Sequence, residues 1–70
     1  MSSVYKYEEI VARVTDRLAL GQLKSGDKLP SVAELRKEFN ASYGSIRAAI
    51  LILKAKDIVE GRHGVGVFVK

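Results

Sequence analysis

Residues Asp27 to Arg47, DKLPSVAELRKEFNASYGSIR, decide how the chain is read. Lys28-Leu29-Pro30 cannot continue a helix, because the residue before proline is driven towards extended geometry, so a very short strand is expected there. Ser31 opens Ser-Val-Ala-Glu, a capping box in which the Ser31 hydroxyl accepts from the Glu34 amide while the Glu34 carboxylate reaches back. A helix is therefore expected over Val32 to Phe39, with Val32, Leu35 and Phe39 on one face and Arg36 and Lys37 outward. Asn40-Ala41 makes a compact turn, since Asn tolerates left-handed geometry, and Ser42 is a second good N-cap. The helix it starts runs to near Lys56, burying Ile46, Ala49, Ile50 and Leu53 and presenting Tyr43, Arg47 and Lys54 on a different side. Two short helices joined by a tight turn, the second with a basic outer face, form a helix-turn-helix, the layout that seats a helix in the DNA major groove.

Upstream, Tyr7, Ile10, Val11, Val14 and Leu18 fall at helical spacing, so a first helix with one apolar face is expected from about Tyr7 to Leu20, closed by Gly21. Glu8 and Glu9 sit in its first turn, where carboxylates complement the helix dipole. Arg13, Asp16 and Arg17 read as a solvated face. Ser25-Gly26-Asp27 is turn chemistry. Downstream, Ile58-Val59 and Val65 to Val69 read as strands flanking a Gly61-Arg62-His63-Gly64 turn, a terminal β-hairpin with a basic tip. The order α, short β, α, α, β, β defines an α+β, mainly α, winged helix-turn-helix: three helices, a C-terminal two-stranded hairpin wing and a very short strand near Lys28-Leu29.

Seventy residues make one domain, expected to span 1–70, with marginal stability. The absence of cysteine removes disulfides, thiolate metal sites and cysteine nucleophiles and fits a reducing, cytoplasmic location. The apolar runs are too short to cross a bilayer, the N-terminus lacks a signal pattern, and no membrane partner is expected. The formal net charge is +4, and its placement is uneven: residues 42–70 carry Arg47, Lys54, Lys56, Arg62 and Lys70 against only Asp57 and Glu60. That excess suits a polyanion, whose condensed counterions are released on binding, and equally a merely soluble basic surface.

The combination of Gly26-Asp27-Lys28-Leu29-Pro30-Ser31, Glu34-Leu35, Ser42, Ile46-Arg47 and Gly64-Val65-Gly66-Val67-Phe68-Val69 resembles the DNA-binding domain of GntR-family bacterial transcription regulators over nearly the whole chain. The resemblance implies a double-stranded DNA partner, palindromic operators bound by a homodimer, the third helix in the major groove and the wing in the minor groove. An isolated unit of this size is expected to pair weakly, on DNA. Carried over by position, it puts contacts at Ser42, Arg47, His63 and Gly64. The chain departs from the family where Ala33 and Tyr43 replace usual arginines and Gly44 a common threonine, which points away from a family-typical operator and towards compensation by Arg36, Lys37 and Tyr43. Family members commonly continue into an effector domain. Here the chain stops at Lys70, so either a stand-alone regulator starting at Met1 or the N-terminal part of a longer one is expected, with no small-molecule pocket.

The residues themselves support those sites. Arg47 matches guanine O6 and N7 as a bidentate donor, or else serves as a phosphate-contacting or solvated arginine. Tyr43, Gly44 and Ser45 lie in a first helical turn whose amides and dipole favour a phosphate. Tyr43 reaches a phosphate or a thymine methyl, or packs partly buried against the second helix. Ser31 and Ser42 act first as caps, and a capping hydroxyl can also touch DNA. Arg62 and His63 at the tip suit a narrow, electronegative minor groove. The lone histidine without clustered acids, and the lack of nucleotide-binding glycine motifs, leave no catalytic residue, no metal site and no cofactor expected. The leading reading is a transcription regulator, a repressor on an inverted repeat; its rivals are a DNA-bending architectural or recombination-directionality factor and a protein-docking winged helix.

Overall fold

The computed structural model describes residues 6–70, so the first five residues of the domain expected over 1–70 lie outside the described residues. Three helices, α1 (Lys6–Ala19), α2 (Val32–Phe39) and α3 (Tyr43–Ala55), precede an antiparallel pair, β1 (Val59–Arg62) and β2 (Gly66–Val69). The apolar spacing in α1 becomes a stripe in which Ile10, Val11 and Val14 are buried and Tyr7 and Leu18 pack at its margin. The helix ends one residue before Leu20, which is exposed. Gly21 takes φ +77° and donates to the Leu18 carbonyl while Gln22 donates to Arg17, so glycine's freedom there lets two terminal carbonyls be satisfied. Arg17 does not lie on a solvated face: its guanidinium pairs with Glu38 and lies 5.7 Å from the centroid of Phe39, tying α1 to α2.

The capping box forms as the sequence predicts. Ser31 Oγ accepts from the Glu34 amide at 3.1 Å, and Glu34 Oε1 accepts from the Ser31 amide at 2.9 Å. Asn40 closes α2 in the left-handed region, and Ser42 caps α3 by accepting from the Ser45 amide at 3.2 Å. Ile46, Ala49 and Leu53 are wholly buried, whereas Ile50, expected in the same stripe, is half-buried because it sits at the edge towards Val32 and Val67. Leu35 and Phe39 of α2, Leu29, and Val59 and Val69 of the hairpin complete one apolar core.

The expected strand near Lys28-Leu29 is a single bridge to Phe68, with Leu29 donating to the Val67 carbonyl and Val69 to the Asp27 carbonyl, both at 2.8 Å. Hence β2 lies between β1 and this segment. The wing's register differs from the sequence reading. Gly61 pairs with Val67 and Arg62 with Gly66, so both belong to β1, while Ile58 and Val65 fall outside the strands. The tip is His63-Gly64-Val65, closed by the Val65 amide donating to the Arg62 carbonyl at 3.0 Å. Gly64 holds φ +74° at the third position of that turn, a value that favours glycine.

The hydrogen bond from the Ser31 amide, followed by the Ser31 side chain, holds the Glu34 carboxyl below its ordinary value. A carboxyl lowered in the folded state adds stability that is complete above its unfolded pKa and lost as the pH falls through the folded one. The urea midpoint of the native chain is therefore expected to exceed that of Glu34→Gln at neutral pH, with the gap closing in acid. Ser31→Ala is expected to cost about 1 kcal/mol at neutral pH. A gap that stays constant across the acid range would contradict the capping role of the charge.

Candidate nucleic-acid interface

Burying one side of α3 leaves Tyr43, Arg47, Leu51 and Lys54 along the other. Tyr43 is 51% exposed and shares a shallow depression with Val32 of α2, so one side of the residue is covered and the other open. It also supports Arg47 four residues on. The Arg47 guanidinium donates to the Tyr43 hydroxyl at 3.4 Å and lies 5.8 Å from the ring centroid, a cation–π placement over the first turn of the helix. Ser42 and Ser45 share a hydroxyl–hydroxyl bond of 3.1 Å, so both serve the cap. A Cβ at Gly44 would meet only Ser42 Oγ, at 3.9 Å. The bare backbone there keeps the outer surface of the first turn open without being required by packing.

On the wing, Arg62 projects from the strand and not from the tip. Its guanidinium lies 4.2 Å from the centroid of Phe68 and its Nε donates to Glu60 Oε2 at 3.1 Å, which pins the charge against the hairpin's flank. His63 and Gly64 are exposed at the tip itself. Lys28, arriving from the bridged segment, crosses the same flank: its Cε stands 2.6 Å from where a Cβ on Gly66 would be.

The structure brings Ser42, Tyr43, Gly44, Ser45 and Arg47 together at the start of α3, and Arg62, His63 and Gly64 together on the wing. Arg36 and Lys37 lie apart, lining a shallow depression with Ala33, Asn40 and Ala41, while Ser31 is taken up by the capping box. Among the described residues the ion pairs join Lys6 to Glu9, Arg17 to Glu38, Arg62 to Glu60 and Lys70 to Asp57. Arg36, Lys37, Arg47 and Lys54 stand outside them and keep their charge for an external anion. The Asp57 hydrogen bond raises the Lys70 ammonium above the ordinary lysine value and fixes the chain's last residue to the end of α3. Sequence reasoning missed Leu51, 57% exposed, although its spacing of four from Arg47 and eight from Tyr43 is a legible signal. Among the described residues no helix is long and apolar enough to cross a membrane, and no group of three or more His, Cys, Asp or Glu comes together.

A helix-turn-helix with its second helix half exposed and a hairpin wing beside it defines the winged helix-turn-helix class of DNA-binding domain. Residues 6–69 match the bacterial regulatory proteins, gntR family, and the chain belongs to that family. It is 38% identical over 64 residues to the mannosyl-D-glycerate transport/metabolism system repressor MngR of Escherichia coli, covering 91% of this chain and 27% of that protein. Among solved structures, the DNA-binding domain of AraR in complex with operator ORX1 superposes with a TM-score of 0.93 at 26% identity, over 100% of this chain and 87% of that one. A GntR family transcriptional regulator from Listeria monocytogenes gives 0.93 at 27% identity, over 100% of this chain and 61% of that one. The chain spans about a quarter of the length of the curated relatives it matches.

The pinning of Arg62 has a measurable consequence. In Glu60→Gln the Arg62 guanidinium loses its charged acceptor, and its Nε proton is expected to exchange with water several-fold faster by NMR, while stability stays within about 0.5 kcal/mol because the pair is exposed. Unchanged exchange would mean that Phe68 alone holds the side chain.

Proposed function

We propose that this chain is the operator-binding unit of a repressor, with α3 in the major groove, the His63-Gly64 tip in the adjacent minor groove, and two copies on an inverted repeat about one helical turn between half-sites. The observation that carries the reading is Arg47: exposed on α3, free of any acid among the described residues and held over the first turn by Tyr43. A guanidinium in that place presents two parallel donors to a guanine edge, a match worth about 1–3 kcal/mol of discrimination. The fold's likeness to the AraR domain in complex with its operator and the kinship with a named repressor support the same reading. Ser42, Tyr43, Gly44 and Ser45 are assigned to the phosphate beside the first turn, where amides and dipole favour an anion. His63 and Gly64 are assigned to the minor groove, Arg62 to its rim, and Arg36 and Lys37 to the flanking backbone. Ser31 serves mainly as a cap. No chemical step is assigned to any residue: the function is binding and occlusion of a promoter.

Charge reversal tests this. Arg47→Glu is expected to weaken binding to a duplex enriched by selection at least tenfold, roughly the loss of one bidentate contact, while circular dichroism stays native. Arg13→Glu on the exposed side of α1 is expected to leave affinity within about threefold, the scale of a minor surface-charge effect. If Arg47→Glu bound as well as the native chain, the reading would fail and docking of a protein through another face would replace it.

A further inference from the structure

Lys54 stands in the last turn of α3 and reaches across to the wing. A Cβ on Gly61 of β1 would lie 3.0 Å from Lys54 Nζ and 3.3 Å from its Cε, so the ammonium lies closer to this backbone than a side chain at position 61 would let it without a shift of a few tenths of an ångström. Gly61 is outside the left-handed region, which means the backbone does not call for glycine there. Glycine inside a strand weakens it, and a close approach by another group is one of the few reasons to keep one. The group that approaches is Lys54.

Two shallow depressions meet at this point. One, of about 550 Å³, runs under the wing past Gly61, Arg62 and His63; the other, of about 210 Å³, runs along α3 past Tyr43, Arg47 and Leu51. Lys54 is the one charged residue that lines both. It takes part in no ion pair among the described residues, so nothing has to be broken for it to meet an anion. In a duplex, the structure that separates a major groove from the neighbouring minor groove is one sugar–phosphate strand. With α3 in the first and the wing in the second, that strand passes through the junction where Lys54 lies. A compact ammonium on a flexible stem suits a phosphate as a point charge, without the planar geometry an arginine needs.

Resting on the DNA-binding reading above, we propose that Lys54, admitted by the bare backbone of Gly61, clamps the backbone phosphate between the two grooves. The clamp is indifferent to sequence. It couples the helix to the wing, because the phosphate it grips belongs to the strand both elements straddle.

The test is the salt dependence of binding of the chain to two fluorescent duplexes, one of mixed sequence and one enriched by selection. Lys54→Gln is expected to weaken both alike, by about five- to tenfold near 0.1 M salt, and to reduce the slope of log K against log salt by about 0.9. Gly61→Val, whose branched side chain strands favour and which crowds Lys54, is expected to weaken both duplexes alike by part of that loss, and the double substitution to be no weaker than Lys54→Gln alone. An unchanged slope in Lys54→Gln, or a loss confined to the selected duplex, would overturn the clamp while native binding stands. Failure of the native chain to bind either duplex would instead overturn the DNA reading itself, and the clamp with it.

Discussion

Everything on the outer surface follows from the burial of one stripe of α3. Ile46, Ala49 and Leu53 are no more than 1% exposed, in contact with a core built from Ile10 and Val14 of α1, Leu35 and Phe39 of α2, and Val59 and Val69 of the hairpin. Side chains on a helix are locked about 100° apart, so fixing those three fixes the rotation of the whole helix. Tyr43, Arg47, Leu51 and Lys54 then have one place to go, the open side. Removing large buried side chains from such a stripe costs several kcal/mol, of the same order as the total stability of a domain this small. The helix is therefore held at one rotation, which fixes the direction in which its exposed side chains leave the backbone.

Local interactions then set the fine geometry of that face. The Ser31 and Ser42 caps place the starts of α2 and α3, and left-handed Asn40 sets the angle between them. At the far end, Asp57 adopts φ +63° and lets the chain turn back into β1, while its ion pair with Lys70 joins that corner to the last residue of the wing. The segment around Lys28 bridges the outer edge of β2, which ties the wing's position to the entry into the helix-turn-helix. Helix and wing are thus two parts of one body, as they must be if a single strand of a duplex is to run between them.

Much of this was legible in the residues, and the failures have physical causes. The α2 and α3 boundaries follow from Ser-x-x-Glu, Asn40 and Ser42, all short-range signals. The wing's register was misread because Gly61-Arg62-His63-Gly64 has turn composition at both ends, while the pairing of Gly61 with Val67 is set by contacts between strands that local composition does not encode. The same error placed Arg62 at the tip, where the structure stacks it on Phe68. Arg17 read as solvated because its partners, Glu38 and Phe39, are distant in sequence. Leu51 was overlooked because an apolar residue in a helix is read first as core. The exposure of Tyr43 and Arg47 on α3, and of His63 and Gly64 at the wing tip, was legible, yet neither the support Tyr43 gives Arg47 nor the position of Lys54 over Gly61 can be seen without coordinates.

In the proposed complex α3 and the wing occupy adjacent grooves of one duplex at the same time. Dimethyl sulfate methylates guanine N7 in the major groove and adenine N3 in the minor groove, so a footprint on a selected duplex reads both grooves in one measurement. Simultaneous occupancy of both grooves would protect guanine N7 in each half-site together with adenine N3 in the minor groove immediately beside it, and replacing the His63-Gly64 tip would remove only the N3 protection. Protection of N7 with adenine N3 fully reactive, or protection in neither groove, would contradict it.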